Sequence, residues 1–121
     1  MNKLFKSVAA LLTAMGLILG LTACASEPLD MTKVTAVIDV RSAAEYSAGH
    51  LEGAINIDVE GNDFATEVGK LDTNGTYVVY CHSGRRAGIA LDQMTSMGFK
   101  NVTNAGGLDA AASATGLPIV Q

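Results

Sequence analysis

The stretch Tyr77-Val78-Val79-Tyr80-Cys81-His82-Ser83-Gly84-Arg85-Arg86 decides how the chain is read. A short apolar run ends in a cysteine. A polar loop with one glycine and two arginines follows, and Ala87-Gly88-Ile89-Ala90-Leu91-Asp92-Gln93-Met94 reads as a helix. The order is strand, loop, helix, with the thiol at the strand's C-terminal end. In open α/β sheets that edge is where ligands bind. Gly84 permits the backbone angles of a tight reversal. Successive N–H groups in such a loop form an anion-binding nest, and the helix adds the positive end of its dipole. Arg85 and Arg86 add full charges. A free cysteine titrates near ~8.5, and helix N-termini and neighbouring cations lower that value. Cys81 is therefore expected to be an activated nucleophile. The bland alternative is a buried structural cysteine, but such a residue needs no cationic glycine loop.

Outward from this stretch, strands alternate with helices. Val34-Thr35-Ala36-Val37-Ile38 is apolar and β-branched and reads as a buried parallel strand ending in Asp39-Val40-Arg41. Ser42-Ala43-Ala44-Glu45 has capping-box spacing and opens a short helix to about Ser47. Gly49-His50-Leu51-Glu52-Gly53 reads as a glycine-bounded loop, and Ala54-Ile55-Asn56-Ile57 as a second short strand. A helix is expected over 63–70 with Phe64 and Val68 on its buried face, then a turn at Asp72-Thr73-Asn74-Gly75. After the central strand and helix, Gly98 fits a helix C-cap. Asn101-Val102-Thr103-Asn104 is a last strand, and Gly106-Gly107 turns into an alanine-rich helix. This alternation predicts an α/β fold with a central, mostly parallel sheet flanked by helices.

The N-terminal part reads differently. Lys3 and Lys6 precede an apolar run from Val8 to Leu21, and small residues follow. That is a secretory signal pattern, and the run is short for a spanning helix, which needs about 20 apolar residues. The expected organisation is a signal peptide over 1–23, a tether over 24–32 and one domain over 33–121. Removing residues 1–23 from the 121 leaves 98, and losing two lysines takes the formal charge from −4 to −6. So acidic a domain is a poor nucleic-acid binder. Only Cys24 and Cys81 are present, and their contexts differ. His50, His82 and Cys81 lack any metal-site spacing, so no metal and no cofactor is expected.

Taken together, these motifs resemble two known patterns. Leu21-Thr22-Ala23-Cys24 resembles a bacterial lipobox, which implies lipidation of Cys24 and an extracytoplasmic domain tethered to a membrane; a plain signal peptide or an uncleaved anchor is the alternative. Residues Ile38-Asp39-Val40-Arg41, Glu45-Tyr46, Gly49 to Asn56, Val78-Val79-Tyr80-Cys81 with its loop, Gly98-Phe99, Val102, Gly106-Gly107-Leu108 and Gly116-Leu117-Pro118 resemble a single-domain rhodanese. The likeness runs from about Val34 to Val120. It implies a sulfurtransferase, and the chain is expected to act as a monomer. Cys81 would take a sulfane sulfur from a donor such as thiosulfate, become a persulfide, and pass the sulfur to a thiol or cyanide. His82, Ser83, Gly84, Arg85 and Arg86 would hold the donor, with the loop amides cradling the terminal sulfur and Arg86 pairing with charge in the loop or bracing it. A non-catalytic persulfide-binding, thiol-binding or redox partner domain is the alternative.

Loop length separates this from phosphatase-like relatives, which place the arginine six positions after the cysteine. Here that position is Ala87, and Arg86 is five after Cys81. Asp39 and Arg41 are expected to brace the loop as an ion pair. His50 is expected to make a structural hydrogen bond, while His82 and Arg85 either tune the site or face solvent. Two departures from the family pattern stand out. The piece that usually precedes the Asp-Val-Arg strand is shortened, and Ala110-Ala111-Ala112 stands where a tryptophan is common.

Overall fold

The computed structural model describes residues 28–121. The expected signal peptide, Cys24 and the first part of the tether lie outside the described residues. The chain then makes a short 3-10 turn at Met31–Lys33, with the Asp30 side chain accepting from the Thr32 N–H.

Four strands form the main sheet: β1 (Ala36–Asp39), β3 (Ile55–Asn56), β4 (Thr76–Cys81) and β5 (Asn101–Gly107). Their order is β3-β1-β4-β5, and every neighbouring pair is parallel. The helices are α1 (Ala43–Ala48), α2 (Phe64–Val68), α3 (Arg85–Ser96) and α4 (Leu108–Thr115). This is the expected α/β architecture. One piece departs from it. His50–Leu51, read as loop, forms β2 and pairs antiparallel with β6 (Ile119–Val120). Two-residue strands carry no periodicity, so only the partner reveals them.

The period of two along a strand explains the core. Tyr77, Val79 and Cys81 of β4 point to one face, with Ile38, Phe64, Val68, Ala87, Ala90 and Met94. Val78 and Tyr80 point to the other, with Val37, Leu51, Ala54 and Ala111. Strand β4 lies between β1 and β5, and its residues from Tyr77 onward are buried. Cys81 is thus carried by a strand anchored on both edges and buried on both faces, on the face that α3 covers.

That alternation corrects one expectation. Asp39 is in register with Tyr80, not with Cys81, so its side chain lies on the opposite face of the sheet from the thiol. Arg41 pairs with it at 2.6 Å and donates to the Gly49 carbonyl at 2.6 Å. Its guanidinium sits over the Tyr80 ring, 5.6 Å from the centroid. The Tyr80 hydroxyl accepts from the Leu51 N–H at 3.0 Å. Asp39 and Arg41 are an ion pair, as expected, but they brace the 49–51 segment and not the cysteine loop. Both are buried, and none of their buried polar atoms lacks a partner, which is what a buried charge pair requires.

Candidate active site

Cys81 is the last residue of β4 and has no exposed surface. The chain reverses over His82, Ser83 and Gly84 and enters α3 at Arg85. Gly84 has φ +95°, a left-handed angle that residues with a Cβ resist. Its N–H donates to the Cys81 Sγ at 2.9 Å. Helix α3 has no side-chain N-cap. Its first-turn N–H groups therefore need another acceptor, and the sulfur lies where they point. Burial alone would push the Cys81 thiol up. The backbone N–H groups of Ala87, Ser83, Gly84 and Arg86 outweigh it and hold the thiol below its ordinary value. The activation comes from the nest and the helix end, more than from the arginine charges that the sequence brings to mind.

Arg86 is not free to meet a substrate. It makes a two-pronged pair with Glu45 of α1, at 2.8 and 2.9 Å, and its Nε lies 3.8 Å from Glu60. Of the two expected roles, pairing with charge inside the loop or bracing it, the partners favour the second, because both carboxylates lie outside the loop. The reason is reach: α1 begins just after the β1 strand end, on the same edge of the sheet. Glu45 also holds the N-terminus of its own helix, because Ser42 and Glu45 form the expected capping box. One carboxylate joins the start of α1 to the start of α3. His82, Ser83 and Arg85 are exposed and make no side-chain hydrogen bond among the described residues. They ring the outer face of the loop. His50 stands apart, its Nδ1 2.7 Å from the Tyr46 carbonyl and its ring stacked on Tyr46 at 3.7 Å.

The Arg86 guanidinium holds the Glu45 carboxyl down at about 2, against an ordinary 4.5. A depressed carboxylate contributes stability above its unfolded value and loses it as pH falls through the folded one. The clamp is therefore expected to act fully above about pH 4.5 and to fade towards pH 2. The side chains are 15% and 35% exposed, so screening keeps the contribution to roughly 0.5–1 kcal/mol. Denaturant unfolding from pH 7 to 2 should show Glu45→Gln below the parent at neutrality and converging with it in acid. Parallel curves would mean that the pair contributes nothing.

Two features escaped the sequence reading. The sequence reads Glu45 as a helix cap and as part of the family likeness, with no partner at the start of α3. Asn104, in β5, donates from Nδ2 to the Gly84 carbonyl at 3.0 Å, across a sequence separation of 20. No local pattern marks such a contact.

Comparison with known proteins agrees with this geometry. The model of the rhodanese-like domain matches residues 22–114. A thiosulfate sulfurtransferase, PspE, of Escherichia coli is 41% identical over 71 residues, which are 59% of this chain and 68% of that protein. A putative mitochondrial thiosulfate sulfurtransferase of Schizosaccharomyces pombe is 35% identical over 83 residues; the match spans 60% of this chain but only 58% of that one. Among solved structures, an E. coli rhodanese with anions is 39% identical, with a TM-score of 0.59 over 71% of this chain and 96% of its own. The rhodanese-like domain of an Anabaena protein is 28% identical, with a TM-score of 0.63 over 71% and 98%. A buried, amide-cradled cysteine between a parallel strand and a helix, in a chain with these relatives, places the protein in the rhodanese-like domain family.

Proposed function

We propose that this protein is a sulfurtransferase that carries sulfane sulfur on Cys81. The observation that supports it most is the cradle, in which backbone N–H groups converge on the Cys81 sulfur and lower its pKa. The Cys81 thiolate attacks the outer sulfur of a donor such as thiosulfate. A new S–S bond forms, the donor's S–S bond breaks, and sulfite leaves with the electron pair. The persulfide is anionic at its outer sulfur, which the same N–H groups then stabilise. A thiolate or cyanide attacks that sulfur, and Cys81 returns as thiolate. No net proton or electron is lost. The reading extends to the relatives' printed activity, thiosulfate sulfurtransferase. Exposed Arg85 and His82 at the loop's outer face suit an anionic donor.

The same reading makes the mature chain a monomer, lipidated at Cys24 and tethered to a bacterial membrane outside the cytoplasm. The lipid and the tether rest on the lipobox-like Leu21-Thr22-Ala23-Cys24. One experiment addresses both claims. Protein extracted from membranes is treated with thiosulfate or left untreated, and analysed by mass spectrometry. The expected result is one added sulfur on Cys81 after treatment and acyl chains on Cys24 in both samples. Addition of sulfur at no site would favour the binding-module alternative. An unmodified residue 24 in membrane-bound protein would point to a retained signal anchor.

A further inference from the structure

Strand β5 is irregular where it passes the thiol. Val79 pairs with Asn104, but Cys81 pairs with Gly107. Two steps along β4 correspond to three along β5, so β5 carries a bulge over Ala105 and Gly106. Bulges beside active sites re-aim neighbouring groups. Gly106 has φ +84° within this bulge, and Gly84 has φ +95° across from it. The two glycines face each other: a Cβ on Gly84 would lie 3.4 Å from the Gly106 Cα.

One side chain joins them. Asn104 Oδ1 accepts from the Gly106 N–H at 2.9 Å, and Nδ2 donates to the Gly84 carbonyl at 3.0 Å. The two bonds fix which end of the amide points where, since one partner is a donor and the other an acceptor. The Gly84 carbonyl also accepts the first helical bond of α3, from the Gly88 N–H at 2.9 Å. Its orientation therefore sets both the start of α3 and the direction of the neighbouring peptide planes. The Gly84 N–H is the one that reaches Sγ.

We propose that Asn104 is a positioning residue for the Cys81 thiolate. It pins the bulge in β5 to Gly84, and through Gly84 it aims the loop and first-turn N–H groups at the sulfur. It touches neither thiol nor substrate. The inference rests on Cys81 being the reacting thiol, but not on which donor or acceptor it serves.

The test uses the isosteric Asn104→Asp and the truncated Asn104→Ala, with Asn104→Gln as the conservative variant. Asn104→Asp turns the donor facing the Gly84 carbonyl into an acceptor and adds a negative charge close to the loop. The readout is the rate of iodoacetamide alkylation of Cys81 against pH, which needs no sulfur donor. The charged groups around the cradle are Arg86 with its partners Glu45 and Glu60, and Arg85 on the loop's outer face, and none of them is altered. The midpoint should rise by about half a unit to one unit in Asn104→Ala and by more in Asn104→Asp. Where thiosulfate is turned over, kcat should fall roughly three- to tenfold with KM little changed, on the scale of one or two hydrogen bonds. Asn104→Gln should recover part of the shift. Thermal melts identify the folded fraction, and alkylation is corrected for it. Midpoints unchanged in folded Asn104→Ala and Asn104→Asp would overturn the proposal. A shift in midpoint with no transfer in any protein, parent included, would uphold it while removing the sulfurtransferase reading.

Discussion

Cys81→Ser is expected to reduce sulfur transfer at least about a thousandfold, on the scale seen when a covalent nucleophile is removed. Cys81 is the only cysteine among the described residues, so none of these offers another thiol to take over. A serine hydroxyl stays protonated near neutrality and requires a positioned base to act as nucleophile. None is in place. His82 is exposed and makes no hydrogen bond to the site, and His50 is tied to the Tyr46 carbonyl. The cradle that stabilises a thiolate offers donors, and donors do not remove a proton. The fold should persist, because serine is slightly smaller and its oxygen can accept the N–H that Gly84 now gives to sulfur. A melt within a few degrees of the parent and no added sulfur after thiosulfate would confirm both parts. Transfer near the parent rate would show that the sulfur travels elsewhere.

What the sequence made legible is local. The strand, loop and helix around Cys81 follow from an apolar β-branched run, one glycine and a helical pattern. The Ser42–Glu45 capping box could be read because its two members are three residues apart. What it left dark is long-range. The pairing of Glu45 with Arg86 joins residues 41 apart, and the local cap already gave Glu45 a sufficient role. Strand β5 was expected to stop at Asn104, with Gly106-Gly107 as a turn. It runs to Gly107 because β4 supplies hydrogen-bond partners there, which no property of the glycines announces. Asp39 and Arg41 showed the right chemistry in the wrong place. Their position near a strand end suggested the loop, and the one-residue offset from the Cys81 register put them on the other face.

Gly107→Ala is the second substitution expected to have a large effect. Gly107 has φ −81° and ψ 177°, which any residue adopts, so its backbone angles give no reason for glycine. Space does. A Cβ at this position would run into the carbonyl oxygen of His82, with the His82 carbonyl carbon at 3.1 Å and the Ser83 nitrogen at 3.8 Å. All three belong to the loop backbone beside the thiol, and the Ser83 N–H is among the groups that lower the Cys81 pKa. Backbone cannot rotate aside as a flexible side chain does, so either the loop or β5 must move. Overpacking of this kind typically costs about 1–3 kcal/mol, or roughly 4–8 °C of melting temperature per kcal/mol in a domain of this size. The chemistry should suffer more than the stability, because a displacement near 1 Å can cost about a hundredfold in rate. Gly49→Ala provides the control: its Cβ would meet only the Ile119 Cγ2, at an ordinary 3.5 Å, and no atom of the cysteine loop. The expected outcome is a Gly107→Ala protein that is folded at low temperature, alkylates slowly at neutral pH and transfers sulfur at about one hundredth of the parent rate. If it instead melts and reacts like Gly49→Ala, the close approach of β5 to the loop does not shape the cradle.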